Sequence, residues 1–373
     1  MSKNFYFITT ICMVTALTPI GAQDAADPNS AGKNPSAPGD STMAPYPPSP
    51  VIDSVTFDWS SERVFGKGSD QWPMTWTADG DLVAAWGDGW GWNGEGKDNK
   101  RSIGVTRISG TPPTLNGTDL WGDGPGSGFG KPEALIALGN DLRMFWTRGD
   151  SINDNDDTAT ALSRDGGLSW TYGKGKAFPK APAGFRVRGI CQFGPGNEDS
   201  LDDYVYVYFG FNRQNDLYLG RVQGEHLFEP DEYRWFKGLS AEGNMPIWSE
   251  SMHDRAAVFH DPNGYYWHIG VCYNAELKRY LMTKPHFCAD DNRDTPLAKE
   301  SGVASLGIFD SPTPWGPWTT LHYRDNFKDD LVKFSYFIPA KFFSDNGQGF
   351  WMAWSGWPEY DSVSFVKGHL SLR

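Results

Sequence analysis

The chain has no run of lysine and arginine, no helical periodicity of apolar residues and no zinc-type spacing of cysteines. Each absence removes a class. Without a basic tract, and with a formal charge of −13, the protein is not built for nucleic acid or an anionic membrane. The four cysteines are wrongly spaced for a metal ribbon. The apolar stretch 5–17 is too short to span a bilayer. With the 3.6-residue period missing, what remains is a β architecture.

Apolar stretch 5–17 instead reads as an export signal: Lys3 precedes it, and Pro19-Ile20-Gly21-Ala22 ends it on a small residue. Cleavage after Ala22 is expected, giving a secreted or periplasmic protein. Residues 23–50, rich in Pro, Ser, Ala and Gly, read as a disordered linker. The single domain is then 51–373. Cys191, Cys272 and Cys288 remain, so at most one disulfide forms, and Cys272–Cys288 is the shorter closure.

What the chain has is a recurring hairpin cassette. Its copies read DGDLVAAWGD (79–88), GNDLRMFWTR (139–148), DDYVYVYFGF (202–211), NGYYWHIGVCYN (263–274) and GQGFWMAWSG (347–356). Each is a polar turn followed by aromatic and β-branched residues that suit a strand. The runs start at Leu82, Leu142, Tyr204, Tyr265 and Phe350, in steps of 60, 62, 61 and 85 residues. Such a repeat predicts an all-β, five-bladed β-propeller. The long last step is assigned to the polar insert 289–302. Residues 55–65 are expected to complete the fifth blade and close the ring. Segment 163–170, SRDGGLSW, fills every position of the Asp-box pattern, a hairpin staple at a propeller rim.

Inner strands are predicted at 71–76, 132–138, 189–193, 255–259 and 334–342, each followed by its cassette strand. In such hairpins the start of the first strand and the end of the second share one edge. One face of the disc should therefore gather Asp70, Lys131, Glu133, Arg188, His253, Asp254 and Lys333 with Asp88, Arg148, Asn212, Asn274 and Ser355. Asp70 and Asp88 become a carboxylate pair, the requirement of glycoside hydrolysis: one protonated to help the leaving oxygen, one ionised to act on water or the anomeric carbon. Trp72, Trp90 and Trp92 flank the pair in sequence and can stack on sugar rings.

The segments SDQWPMTWTADGDLVAAWGDG, KPEALIAL, GICQFG, VCYNAELKRYLM, SLGIFDSPTPWGPW and FSYFIPAKFF resemble a secreted domain-of-unknown-function family that includes the five-bladed endo-D-arabinanases. The resemblance covers nearly all of 51–373. It implies glycoside hydrolase chemistry on an arabinan-like polysaccharide, with Asp70 and Asp88 matching that family's catalytic pair. The Trp-rich loop 89–93 departs from the pattern.

Two other readings compete. A polysaccharide lyase would use His253 and Tyr273 with Arg188 or Arg148 on a uronate polymer. A carbohydrate-binding propeller would keep the groove without the chemistry. The expected partner is a polysaccharide or oligosaccharide held by Gln71, Trp72, Trp90, Lys131, Glu133, Arg148, Arg188, His253, Asp254 and Asn274. No cofactor, metal or membrane span is expected, and the protein is expected to be a monomer. Asp150, Asp154 and Asp156 read as a solvated acidic loop rather than a Ca²⁺ site.

Overall fold

The computed structural model describes residues 43–94, 100–124, 129–149, 157–211, 214–243, 245–264, 268–286, 305–328, 333–356 and 361–373. The chain opens with β1 (Ile52–Phe65) and then lays down four-stranded antiparallel sheets in sequence order. Blade 1 is β2 (Met74–Trp76), β3 (Leu82–Gly89), β4 (Arg101–Thr111) and β5 (Thr114–Asp123). Blade 2 is β6 (Gly130–Leu138), β7 (Asp141–Arg148), β8 (Thr158–Ser163) and β9 (Thr171–Tyr172). Blade 3 is β10 (Phe185–Gln192), β11 (Tyr204–Phe211), β12 (Asp216–Gln223) and β13 (Arg234–Leu239), widened by β14 (Pro246–Ser249) and β15 (Ala257–His260). Blade 4 is β16 (Gly270–Asn274), β17 (Arg279–Lys284), β18 (Leu306–Ser311) and β19 (Thr319–Arg324). Blade 5 joins β20 (Lys333–Phe337), β21 (Gly349–Gly356) and β22 (Val363–Leu372) to β1.

Burial explains which strands sit inside. Every residue of β6 except Leu138, and every residue of β3 except Asp88, is buried, whereas the outer strand β5 is largely exposed. Strands covered on both faces read as continuous apolar runs, and outer strands alternate. Packing is tight enough that Gly104 cannot be replaced: a Cβ there would lie 2.1 Å from the Trp86 ring. The ring closes where β1 runs antiparallel to β22, from Ile52 opposite Leu372 to Phe65 opposite Val363. Phe57 of β1 packs edge-on against Phe327 at 5.0 Å and Phe350 at 6.0 Å. The first strand thus covers the edge that the last blade would leave open.

All five inner strands meet at the axis. β10 and β16 pair in parallel there, Cys191 opposite Val271, and Ile269 donates its N–H to the Arg188 carbonyl at 3.0 Å. The remaining axial cavity, lined by Pro73, Glu133, Gly189, Gly270 and Pro339 among others, has a volume of about 30 Å³. That is room for a water or two, so no chain of sugar threads the disc.

Three expectations need correction. Residues 255–259 are not an inner strand: β15 pairs with the third strand of blade 3. The inner strand of blade 4 is β16, formed by the cassette run itself, because the hairpin turn comes one element later. There Asn274 Oδ1 accepts the Leu277 N–H at 3.1 Å and Lys278 adopts φ 53°. Residues 43–50 are not loose linker: Tyr46 packs on Phe259 at 5.0 Å, and Ser49 donates its N–H to the Thr320 carbonyl at 3.2 Å. Cys272 is a buried free thiol, as is Cys191, so the proposed closure is not formed. Cys288, Asn212, the acidic stretch Asp150, Asp154 and Asp156, the insert 289–302 and the signal 1–22 lie outside the described residues.

A chain beginning at Gly66 lacks β1 and leaves the β22 edge unpaired. Its melting temperature should fall on the order of 10 °C or more and it should self-associate, as followed by calorimetry and size-exclusion chromatography. An unchanged melt would mean that β1 does not latch the ring.

Candidate active site

The loop before β2 is held from four directions. Gly68 and Ser69 donate their N–H groups to the Asp361 carbonyl at 2.5 and 3.1 Å. Ser69 Oγ accepts from the Trp90 and Gly91 N–H groups at 3.0 and 2.8 Å. Asp70 and Gly87 exchange both backbone hydrogen bonds at 2.9 Å. Gln71 donates its N–H to Ser355 Oγ at 3.0 Å. Between these ties Gln71, Trp72 and Asp88 take left-handed φ values of 75°, 56° and 40°. Each costs on the order of 1 kcal/mol or more for a residue with a side chain, so the surroundings impose the shape.

The result places two carboxylates on one ammonium. Lys131 Nζ, at the start of β6, pairs with Asp88 Oδ2 and lies 3.9 Å from Asp70 Oδ1. With both contacts inside 4 Å, those carboxylate oxygens are at most about 8 Å apart, within the reach of hydrolase carboxylate pairs. The cluster is secluded but open: side-chain exposure is 13% for Asp70, 19% for Asp88 and 5% for Lys131. Among the described residues Asp70 Oδ1 and Asp88 Oδ1 have no hydrogen-bond partner. Gly87 must lack a side chain here, since a Cβ would sit 2.5 Å from Asp70 Oδ1 and 3.1 Å from Lys131 Cδ.

Burial pushes the Asp70 carboxyl up to about 7. Lys131 opposes this by attraction, Asp361 and Asp88 add to it by repulsion, and Lys100 opposes it again. Near neutrality Asp70 therefore carries a proton part of the time, which an ordinary aspartate does not.

Deeper along the same face lies a second ionic group. Glu133 Oε1 is 3.6 Å from Arg186 Nε, and Glu133 Oε2 accepts from Thr158 Oγ1 at 2.9 Å. Arg188 Nε donates to the Gly210 carbonyl at 3.4 Å. His268 is fully enclosed beside Arg186 and Arg188; burial first and then those two charges lower its pKa to about 3, so it is neutral. Its Nδ1 lies 3.1 Å from Ser335 Oγ.

The sequence-predicted residues divide accordingly. Asp70, Gln71, Asp88, Lys131, Glu133 and Arg188 sit on the expected face, and Trp90 is half-buried beside Lys100, whose Nζ is 5.6 Å from its ring. Arg148 ends β7 at this edge but is exposed and donates to the Gly175 carbonyl at 2.8 Å. Trp72 does not face a ligand: it is wholly buried, with Nε1 bonded to the Ser69 carbonyl at 2.9 Å. The two left-handed residues at 71 and 72 break the strand alternation that would have turned it outward. Trp92 stacks on Phe65 at 4.6 Å. His253 and Asp254 lie on the outer hairpin of blade 3, where Asp254 binds Ser249 and Lys237 at 2.9 and 3.1 Å. Asn274 and Tyr273 end β16, so they belong to the opposite face, together with Trp76, in a groove of about 250 Å³. The reading missed Lys100, Arg186 and Asp361. Only Arg186 carried a signal, being two residues from Arg188 on one strand. Among the described residues no group of three or more His, Cys, Asp or Glu could hold a metal, and no helix is long and apolar enough to cross a membrane.

No family model matches the chain, and no curated protein matches it. Solved structures resemble it in overall trace. An arabinanase of Bacillus subtilis is 9% identical with a TM-score of 0.49, over 82% of this chain and 95% of that one. A thermostable family-43 glycoside hydrolase is 14% identical with a TM-score of 0.49, over 88% and 96%. The catalytic domain of a GH62 α-L-arabinofuranosidase of Coprinopsis cinerea is 10% identical with a TM-score of 0.47, over 87% and 96%. The five-bladed assignment rests on this chain's own sheets.

Replacing Lys131 by Met removes the largest influence that lowers the Asp70 pKa. Asp70 in Lys131→Met should titrate above 7, read from its carboxyl-carbon NMR shift. A lower or unchanged titration would show that Lys131 does not govern it.

Proposed function

We propose that this protein is an exported glycoside hydrolase acting on a polysaccharide, with Asp70 as the proton donor and Asp88 as its ionised partner. The observation that carries the reading is the pair of carboxylates on Lys131, one of them raised to about 7 by burial. Hydrolysis of a glycosidic bond asks for this division of labour.

Asp70 donates its proton to the glycosidic oxygen as the bond to the anomeric carbon breaks. Asp88, paired with Lys131, acts on water or directly on the anomeric carbon. One water is consumed, its hydroxyl ending on the anomeric carbon and its proton restoring Asp70. Trp90 offers a half-buried indole for a sugar face. The resemblance of segments such as SDQWPMTWTADGDLVAAWGDG to endo-D-arabinanases favours an arabinan-like polymer.

The lyase constellation has no support in the geometry. His253 lies on the outer hairpin of blade 3, Tyr273 on the opposite face and Arg188 among the buried inner residues. A propeller that only binds glycans keeps the groove without turnover.

Asp70→Asn and Asp88→Asn should each lower turnover on a cleaved polysaccharide by on the order of 10³-fold, with folding retained. Stability adds a second readout. The folded pKa of Asp70, about 7, lies above its ordinary value of 3.8, so its contribution is full below about pH 4 and is lost as pH rises through 7. Above pH 7 the ionised, buried carboxylate is a burden, and Asp70→Asn should melt higher than the native protein. Full activity in both variants would overturn the assignment.

A further inference from the structure

The last blade reaches across the ring seam to the carboxylate pair. Asp361 lies between β21 and β22, and its carbonyl accepts the N–H groups of Gly68 and Ser69, the residues directly before Asp70. Its carboxylate is 3.6 Å from Lys100 Nζ, with side-chain exposure of 19%. Its backbone is left-handed, φ 55°, a conformation that aspartate and asparagine tolerate better than most residues. A residue needed only to accept two amide protons requires no charge. Asp361 nevertheless adds a third carboxylate whose charge is felt by two that already repel each other.

We propose that Asp361 is a positioning residue: tied to the two residues before Asp70, it adds a negative charge that favours the protonated form of Asp70, with Lys100 as the opposing control. This rests on the hydrolase reading for its purpose but not for its test. The charged groups that act on Asp70 come from several neighbouring elements: Asp88 from blade 1, Lys131 from blade 2, Lys100 from the segment before β4 and Asp361 from the seam. Burial is the largest cause of the Asp70 shift, and repulsion from Asp361 precedes that from Asp88 in size. Asp361 is itself raised by burial and held down by Lys100 and Lys131.

The signs are opposed for the two partners. Asp361→Asn keeps the side-chain size, the left-handed backbone and the carbonyl that binds Gly68 and Ser69, and removes only the charge. Asp70 should then titrate lower, on the order of one pH unit. Lys100→Met removes the opposing charge, so Asp70 should titrate higher. The measurement is the carboxyl-carbon NMR titration of Asp70 in the substrate-free protein, with the signal assigned by its loss in Asp70→Asn. A loosened seam that admits water would move Asp70 down in both variants, and that outcome, or no movement in either, overturns the proposal. In an active preparation the alkaline limb of kcat/KM should follow the same two directions. If Asp70 moves as expected while no polysaccharide is cut, the hydrolase reading fails and the role of Asp361 stands.

Discussion

One ammonium shared by two carboxylates is the interaction on which the site depends. Lys131 comes from the first residues of blade 2, Asp70 from the loop that leads into β2 of blade 1, and Asp88 from the end of β3. None of the three could be buried alone, because an isolated charge in such a setting would neutralise or draw in water. Together they leave Asp70 near the point where it gains or loses a proton. Blade 1 must therefore sit at a set distance from blade 2, and that is fixed by the ring.

The ring supplies the constraint by closing on itself. Among the described residues the five inner strands surround an axial cavity of only about 30 Å³, too small to join the Asp70 face to the Tyr273 face. The strand that completes blade 5 comes from the start of the chain, and the segment between β21 and β22 returns to bind the loop before Asp70. Closure of the fold and placement of the carboxylates thus use the same seam. The strained residues at 71, 72 and 88 are tolerated there because hydrogen bonds from blade 5, from Ser69 and from Gly87 surround them.

Much of this was legible in the sequence, for a local reason. A hairpin puts the start of one strand beside the end of the next, and Asp70 and Asp88 flank one hairpin, so their meeting follows from a turn and two strand lengths. The same logic failed for His253, Asp254 and Asn274. The run at 263–274 has the spacing and composition of a second strand, yet the turn at 274–278 follows it and makes it the inner strand. Position along a repeat does not reveal that shift of phase. Trp72 failed for a different reason: two consecutive left-handed residues reverse the side on which the chain projects, and nothing in their identity announces it. Asp361 belongs to the far end of the chain and reaches Asp70 only through ring closure, so no local pattern could find it.

The central claim is bond hydrolysis by the Asp70–Asp88 pair, and its most direct test is the chemistry of the product. The protein should be purified without its first 22 residues and incubated with a panel of neutral and uronate-containing polysaccharides, arabinans included. Hydrolysis predicts new reducing ends in at least one neutral polymer, with no rise in the ultraviolet band of unsaturated uronates. Products carrying that band, or binding without any new reducing end across the panel, would contradict the account.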